Sequence, residues 1–269
     1  MDLSIIIVNY KSREKLSNCL VSLEAANLRL SREILVIDNN SGDDLTELAS
    51  SYSTVRLIVS SVNQGMGGGN NIGIEQAQGK YILILNPDTV VQPGAIETLV
   101  TYLESHSEVA MVGPKLLYPN GSLQYSCSSW PRFWMPVLRR TFLGRFFPTT
   151  LRSFMMKDYD HSTPRTVDWL MGSCLLFRRE LSVTGGVFRP RFDERYFMYF
   201  EDTDLARQVW SQGYAVVYVP QAIVIHDHQR ASAQHPWYLA IFLDRLARQH
   251  ILSWLRYFIK WGIKRKIKV

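Results

Sequence analysis

Apolar residues in the first third of the chain fall in short, uninterrupted runs. Leu3 to Val8, Ile34 to Ile37, Arg56 to Val59 and Tyr81 to Leu85 are each of strand length, and each is followed by a polar or glycine-rich turn. Runs of this kind, β-branched and without alternation, predict parallel strands buried on both faces. Between them lie helix-like stretches: Arg13 to Ala25, Asp44 to Tyr52, Asn70 to Gln78, and Pro93 to Ser105, the last with proline near its start. Alternating β and α units predict an α/β fold, a doubly wound and mostly parallel sheet flanked by helices, with its ligand crevice at the carboxyl ends of the strands. Past residue 110 the pattern loosens. Strands are expected near Ala110 to Val112, Cys174 to Arg178 and Ala215 to Val219, and a helix near Asp202 to Gln212.

Polar residues collect at the four strand ends: Asn9-Tyr10, Asp38-Asn39-Asn40-Ser41, Asn63-Gln64-Gly65 and Asn86-Pro87-Asp88. The run from Gly65 to Gly73 is not a dinucleotide fingerprint, because Asn70 and Ile72 fall where the last glycine belongs. It reads either as a glycine-rich loop opening a helix, where backbone N–H groups bind a diphosphate, or as a tight turn that requires glycine. Asp88 follows an apolar strand and a proline, a position from which a carboxylate holds a hard divalent cation or caps the next helix. His226 and His228 sit just beyond a late strand, as metal ligands or as hydrogen-bonded structural residues.

The segment Phe192 to Arg207 sets Asp193, Glu194, Glu201, Asp202 and Asp204 among aromatic side chains. Acids in apolar surroundings have perturbed pKa values unless paired, which suits a general base. The competing reading is a salt-bridged helix start, with Asp202 as cap and Arg207 as partner.

Composition narrows the setting. Three cysteines, Cys19, Cys127 and Cys174, with no C-x-x-C spacing argue against a disulfide framework and a zinc ribbon and fit a reducing cytoplasm. The N-terminal run is expected to be a first strand and not a signal peptide. The net charge of +6 belongs to the C-terminal end, since residues 237–269 carry eight Lys/Arg against one acid, Asp244. From about Leu243 to Trp261 a helical wheel puts Leu243, Ala247, Ile251, Trp254, Leu255, Phe258 and Trp261 on one face, and Arg245, Arg248, Arg256 and Lys260 on the other. That pattern suits a helix lying on an anionic membrane surface, or one packed on the domain or a second subunit. A second basic and aromatic stretch, residues 130–152, holds Arg132, Arg139, Arg140, Arg145 and Arg152 with no acid.

The motifs S-I-I-I-V-N-Y (4–10), V-I-D-N-N-S (36–41), N-Q-G-M-G-G-G-N-N-I-G-I (63–74), L-N-P-D-T (85–89), W-L-M-G-S-C-L-L-F-R-R-E (169–180) and F-D-E-R-Y-F-M-Y-F-E-D-T-D-L-A-R (192–207) occur in this order. Together they resemble the inverting family 2 glycosyltransferases of GT-A fold, and within them the rhamnosyltransferase-like branch. The resemblance implies that Val8, Asn9, Tyr10 and Asp38 hold the nucleoside, while Asn63, Gly65 and Asn71 approach the ribose and diphosphate. It implies Asp88 and His226 as ligands of Mg²⁺ or Mn²⁺, with Asn86 standing where the family's D-x-D motif has its first aspartate. Asp202 matches the catalytic base, supported by Glu201, Asp204 and Arg207, and Trp169, Gly172 and Asp193 fall on the acceptor side.

These expectations describe a GT-A domain over residues 1–236, with a donor half to about 110 and an acceptor half after it, and a basic amphipathic tail over 237–269. The partners expected are a nucleotide-sugar donor, a saccharide acceptor carried on polyprenyl diphosphate and the inner face of the cell membrane. A homodimer is an option, and nucleic acid is not a partner. The preferred sugar is L-rhamnose from its dTDP donor. Competing readings are a soluble or protein acceptor, a non-catalytic nucleotide-sugar scaffold, and a nucleotidyltransferase, the last disfavoured because the glycines follow the third strand and not the first.

Overall fold

The structure, a computed structural model, describes residues 1–227 and 244–263. The first half of the chain runs β1 (Leu3–Asn9), α1 (Arg13–Ala25), β2 (Arg32–Asp38), α2 (Thr46–Ser50), β3 (Val55–Val59), α3 (Gly65–Gln76), β4 (Tyr81–Leu85), β5 (Thr89–Val91), α4 (Ala95–Ser105) and β6 (Val109–Leu117). Short pieces follow: β7 (Leu123–Gln124), β8 (Cys127–Ser128), α5 (Met135–Arg140), a 3₁₀ turn (Phe142–Phe146), α6 (Pro148–Phe154), β9 (Arg165–Thr166) and β10 (Trp169–Leu170). The chain then adds β11 (Cys174–Arg178), β12 (Leu181–Val183), β13 (Gly186–Phe188), α7 (Glu201–Ser211), β14 (Ala215–His226) and α8 (Arg245–Trp261).

One sheet organises these elements in the order β3-β2-β1-β4-β11-β6-β14-β5, with β7 on β6 and β9 on β14. The strands β3, β2, β1 and β4 are mutually parallel, as are β6 and β14, while β11 enters antiparallel between β4 and β6. This is the expected doubly wound, mostly parallel α/β sheet, flanked by helices and followed by a basic helix at the C-terminal side. The apolar runs are continuous because successive residues face opposite cores. From β1, Leu3, Ile5 and Ile7 join Leu16, Leu20 and Leu99 on one side, whereas Ile6 and Val8 join Leu205 and Val209 on the other.

The glycine run departs from expectation, because Gly65 to Gly73 lie inside α3 and not in a loop before it. Glycine lowers helix propensity, so a tertiary reason has to override the local preference. A Cβ on Gly73 would lie 2.5 Å from Ile6 Cγ2, and one on Gly69 would lie 2.9 Å from Val8 Cγ1. The missing side chains let α3 lie directly on β1. Late in the chain, β14 runs on to His226, past the break at Pro220 where its register with β6 shifts.

Gly73→Ala is expected to destabilise the fold by about 1–3 kcal/mol in urea unfolding, overpacking outweighing the better helix propensity of alanine. Adding Ile6→Val, which removes the Cδ1 methyl 3.1 Å from the new Cβ, is expected to recover part of the loss.

Candidate active site

Parallel pairing sets the ends of β1, β2, β3 and β4 along one edge of the sheet, but most of the polar side chains there bond to one another. Asn9 Nδ2 donates to Asp43 Oδ2 at 2.9 Å and to Ser41 Oγ at 3.2 Å, and Asn9 Oδ1 accepts from Ser12 Oγ at 3.0 Å. Asp38 is buried and accepts from Ser41 N at 3.1 Å. Val8 turns its side chain against α3. Of the residues expected to hold the nucleoside, Val8 and Asn9 are buried and Tyr10 presents an exposed ring.

Asn63, Gly65 and Asn71 are likewise engaged within the fold. Gly65 N donates to Asn63 Oδ1 and Met66 N to Phe197 O, both at 2.9 Å, so two donors of the first turn of α3 are already taken. Gly65 has φ +74°, and a Cβ there would collide with Phe197 O. Asn71 is buried, its Nδ2 donating to Phe192 O at 2.9 Å and Glu194 Oε1 at 3.0 Å while its Oδ1 accepts from Phe192 N at 3.0 Å. Asn71 and the Gly65–Met66 turn thus hold segment 192–197 onto the donor half, and Asn63 Oδ1 accepts from Gly65 N and Asn39 Nδ2.

After β4 the tripeptide Asn86-Pro87-Asp88 turns the chain into β5. Thr89 Oγ1 donates to Asn86 O at 2.7 Å, and Asn86 N donates to Ser173 O at 2.9 Å. Antiparallel pairing of β5 with β14 sets His226 opposite Thr89, which brings His226 Nε2 to 3.3 Å from Asp88 Oδ1. Gln124 Oε1 lies 2.7 Å from His226 Nδ1, a contact that orients the ring with Nε2 facing Asp88. Burial opposes ionisation of Asp88, but the His226 contact and the nearby Lys15 outweigh it and leave this carboxyl below its ordinary value. Asn86 Oδ1 is buried without a donor. Among the described residues no group of three or more His, Cys, Asp or Glu side chains is arranged to hold a metal. The donor set at this corner is one carboxylate, one imidazole nitrogen and one open amide oxygen, chemistry that fits a cation whose other ligands come from a bound nucleotide. Gln124 was not legible beforehand: it lies in a two-residue strand 102 positions from the histidine it orients.

α7 starts at a strained corner. Tyr199 and Phe200 have φ of 69° and 68°, a conformation costing about 1–3 kcal/mol per non-glycine residue and found where a site demands it. Phe200 is the N-cap and no side chain caps the helix, so the expected capping role of Asp202 is not what is found. Asp202 Oδ2 accepts from Gly172 N at 3.0 Å, and Oδ1 accepts from Thr203 N at 2.6 Å and Thr203 Oγ1 at 3.2 Å. A Cβ on Gly172 would sit 3.3 Å from Asp202 Cβ, so glycine allows the approach. Desolvation raises the pKa of Asp202 despite these bonds, and that of Glu201 is raised by burial and then by the Asp202 charge. Glu201 Oε2 is buried with no donor. Through neighbouring residues 172 and 173, one short loop touches both Asp202 and the Asn86 turn.

Asp204, expected to support the acidic motif, and Asp193 both meet the C-terminal helix. Asp204 is fully buried and accepts from Trp261 Nε1 at 2.6 Å, Lys260 Nζ at 2.8 Å, Gln208 Nε2 at 2.8 Å and Tyr196 OH at 3.3 Å. Asp193, expected on the acceptor side, is paired with Arg195 and, at 2.8 Å, with Lys260; Arg195 and Lys260 hold it well below the usual carboxylate range. Arg207 Nη1 donates to Tyr257 OH at 3.0 Å and stacks among Trp130, Tyr257 and Trp261. Trp169 Nε1 donates to Ser129 O at 2.9 Å, and its ring is half-buried.

The tail therefore packs on the domain. α8 also reaches Met198 O through Ser253 Oγ at 2.8 Å and packs Trp254 and Phe258 on Phe133. Lys260, expected on the outer charged face, points inward, and Leu255, expected on the packed face, is exposed beside Leu252 and Ile259. His228, Leu243 and the last basic residues, Lys264, Arg265, Lys266 and Lys268, lie outside the described residues.

Residues 4–184, from β1 through β12, match the family model described as Glycosyl transferase family 2. The chain belongs to that family. This family 2 glycosyltransferase is 31% identical over 248 residues to an N-acetylglucosaminyl-diphospho-decaprenol L-rhamnosyltransferase of Mycobacterium tuberculosis, covering 87% of this chain and 78% of the relative. It is 29% identical over 263 residues to rhamnosyltransferase WbbL of Escherichia coli K12, covering 93% and 94%. Among solved structures, GalNAc-T7 with UDP, GalNAc and Mn²⁺ superposes with a TM-score of 0.65 at 16% identity, over 99% of this chain and 56% of that one. Mannosyltransferase PcManGT from Pyrobaculum calidifontis, with GDP-Man and Mn²⁺, gives 0.59 at 17% identity, over 96% and 64%. At these identities the likeness is one of fold, and the family 2 chain spans less than two thirds of either solved chain.

Three outcomes follow from the geometry of this transferase. Lys260→Met strands the buried Asp204 charge and is expected to cost about 3–5 kcal/mol in chemical unfolding, with Asp204→Asn in the same chain restoring part of it. Because the folded-state pKa of Asp193 is depressed, its contribution is present above the unfolded pKa of about 3.9 and lost as pH falls below it. Stability of the wild type is thus expected to fall more steeply through that acid range than stability of Lys260→Met. Separately, Gly172→Ala is expected to lower kcat with little change in donor KM, measured by steady-state kinetics, because the new methyl displaces Asp202.

Proposed function

We propose that this enzyme transfers L-rhamnose from dTDP-rhamnose, with inversion, to a saccharide carried on a polyprenyl diphosphate, in the assembly of a surface polysaccharide. The observation that carries the reaction is Asp202, a half-buried carboxylate aimed by Gly172 N at a loop that also anchors the Asn86-Pro87-Asp88 turn. The sugar and the acceptor rest on the two rhamnosyltransferase relatives, one of which is named for a diphospho-decaprenol-linked acceptor.

In this reading the exposed Tyr10 ring stacks on the base and Asp38 accepts from its N3–H at the end of β2. Asp88 and His226, with the open Asn86 Oδ1, hold Mg²⁺ or Mn²⁺ at the diphosphate. A cation there supplies positive charge to the departing nucleoside diphosphate. Asp202 takes the proton from the acceptor hydroxyl as that oxygen attacks the anomeric carbon. The three hydrogen bonds on its oxygens fix the carboxylate in place, and its raised pKa makes it a better base than an exposed aspartate. Glu201 beside it raises the energy of the doubly charged pair.

A lipid-borne acceptor is supported by the outer surface. Trp134, Phe142, Phe146 and Phe147 are exposed in the basic stretch 130–152, and Phe133 joins that stretch to α8, whose exposed face mixes Leu252, Leu255 and Ile259 with Arg245, Arg248 and Arg256. Aromatic and basic residues on one surface suit the anionic interface of a membrane. Among the described residues no helix is long and apolar enough to cross one.

Release of dTDP from dTDP-rhamnose, with and without a polyprenyl-diphosphate-linked acceptor, tests the reading; pyrophosphate release, or tight donor binding without turnover, would sink it. Asp202→Asn is expected to lower kcat by about 10²–10⁴-fold with nucleotide affinity kept. Since the base acts deprotonated and its pKa is raised, activity is expected to fall on acidification at a pH above the ordinary carboxylate range. Glu201, pushed up to about 8, carries no charge through that acid range, so Glu201→Gln is expected to leave the acid limb of the kcat profile in place.

A further inference from the structure

The proposed reaction leaves one cation at the site without a task. Lys15 lies on α1, and its Nζ stands 3.3 Å from Asp227 Oδ2 and 3.9 Å from Asp88 Oδ2. Asp227 directly follows His226, and its N–H donates to Asp88 O at 2.9 Å, so α1, the end of β14 and the turn before β5 converge on one point. Asp88 is approached on both oxygens, by His226 Nε2 on Oδ1 and by the ammonium on Oδ2. The lysine side chain is 35% exposed, so its flexible stem is free to move toward a ligand in the crevice.

An ammonium between two carboxylates does the electrostatic work of a bound cation. A divalent ion entering beside Asp88 meets a like charge a few ångströms away and competes for the same oxygens. Asn86 adds no compensating carboxylate, because it stands where a second acid would strengthen the metal's claim. A diphosphate reverses this balance: it brings negative charge for the ammonium and oxygen ligands for the metal.

We infer that Lys15 is a ligand for the donor diphosphate and that, with no nucleotide bound, it occupies Asp88, the carboxylate of the cation site, and makes metal binding conditional on nucleotide. The inference rests on the reading of Asp88 as the cation side of the donor site. On nucleotide arrival the ammonium passes from Asp88 and Asp227 to a phosphate oxygen, and the vacated oxygens become available to the metal.

The test measures Mn²⁺ binding to the full chain by electron paramagnetic resonance, with and without dTDP, and dTDP binding without metal by calorimetry. In Lys15→Met, nucleotide-free Mn²⁺ affinity is expected to rise roughly tenfold and metal-free dTDP affinity to fall roughly tenfold, the scale of one unit charge at a partly exposed site. Lys15→Arg keeps the charge and is expected to stay near wild type in both, which separates charge from packing. Unchanged affinities in Lys15→Met, or weaker Mn²⁺ binding, overturn the inference. Asp88→Asn is the control for the underlying reading. If it leaves Mn²⁺ binding with dTDP intact, the assignment of Asp88 to the cation fails and the competition fails with it, whereas lost binding in Asp88→Asn with no effect of Lys15→Met removes the lysine's role alone.

Discussion

The arrangement turns on a charge with no access to water. Asp204 is fully buried, and a carboxylate in that position is tolerable only when donors meet it on every side. Tyr196 and Gln208 come from its own neighbourhood, but Lys260 and Trp261 come from α8, more than fifty residues later. The first turn of α7 is thereby completed by the last described helix. Asp202 sits two residues before Asp204 on that same turn, so its geometry depends on a contact made by none of its own atoms.

Strain at Tyr199 and Phe200 fits this dependence. Two consecutive aromatic residues in the left-handed region do not hold themselves there, and the surroundings that hold them are largely α8: Ser253 on Met198 O, and Tyr257 against Phe200. From the other side, the helix start is pinned to the donor half through Asn71 and the Gly65–Phe197 contact. The segment carrying Asp202 is thus a strap between the glycine-rich helix and the tail helix, and it meets the 171–173 loop at Gly172.

The same economy of contacts explains why so few of the polar strand-end residues are free. Asn9, Asn39, Asn63 and Asn71 mostly satisfy one another or buried backbone, as polar groups enclosed in a crevice must. The exposed ring of Tyr10 and the charged groups of Asp88, Lys15 and Asp227 are left to meet a ligand. Recognition is concentrated in a few side chains, and the remaining polar residues keep the walls in place.

Local pattern was enough for the strands β1 to β4, the helices between them and the fold class, because burial on both faces of a parallel sheet leaves a continuous apolar run that needs no knowledge of the partner. The acidic motif and the Asn86-Pro87-Asp88 turn were equally legible, since each is contiguous. Pattern misplaced the glycine run, whose helix exists only because Ile6 and Val8 lie beneath it. It also turned Lys260 outward, because a helical wheel ranks lysine by polarity and has no term for a buried carboxylate waiting opposite. Asp193, Gln124 and Lys15 took their roles from residues distant in the chain, and such pairings are set by strand register and helix docking. Periodicity along a sequence reports how each segment meets solvent and core; which charge meets which is settled only when separate segments are brought to the same place.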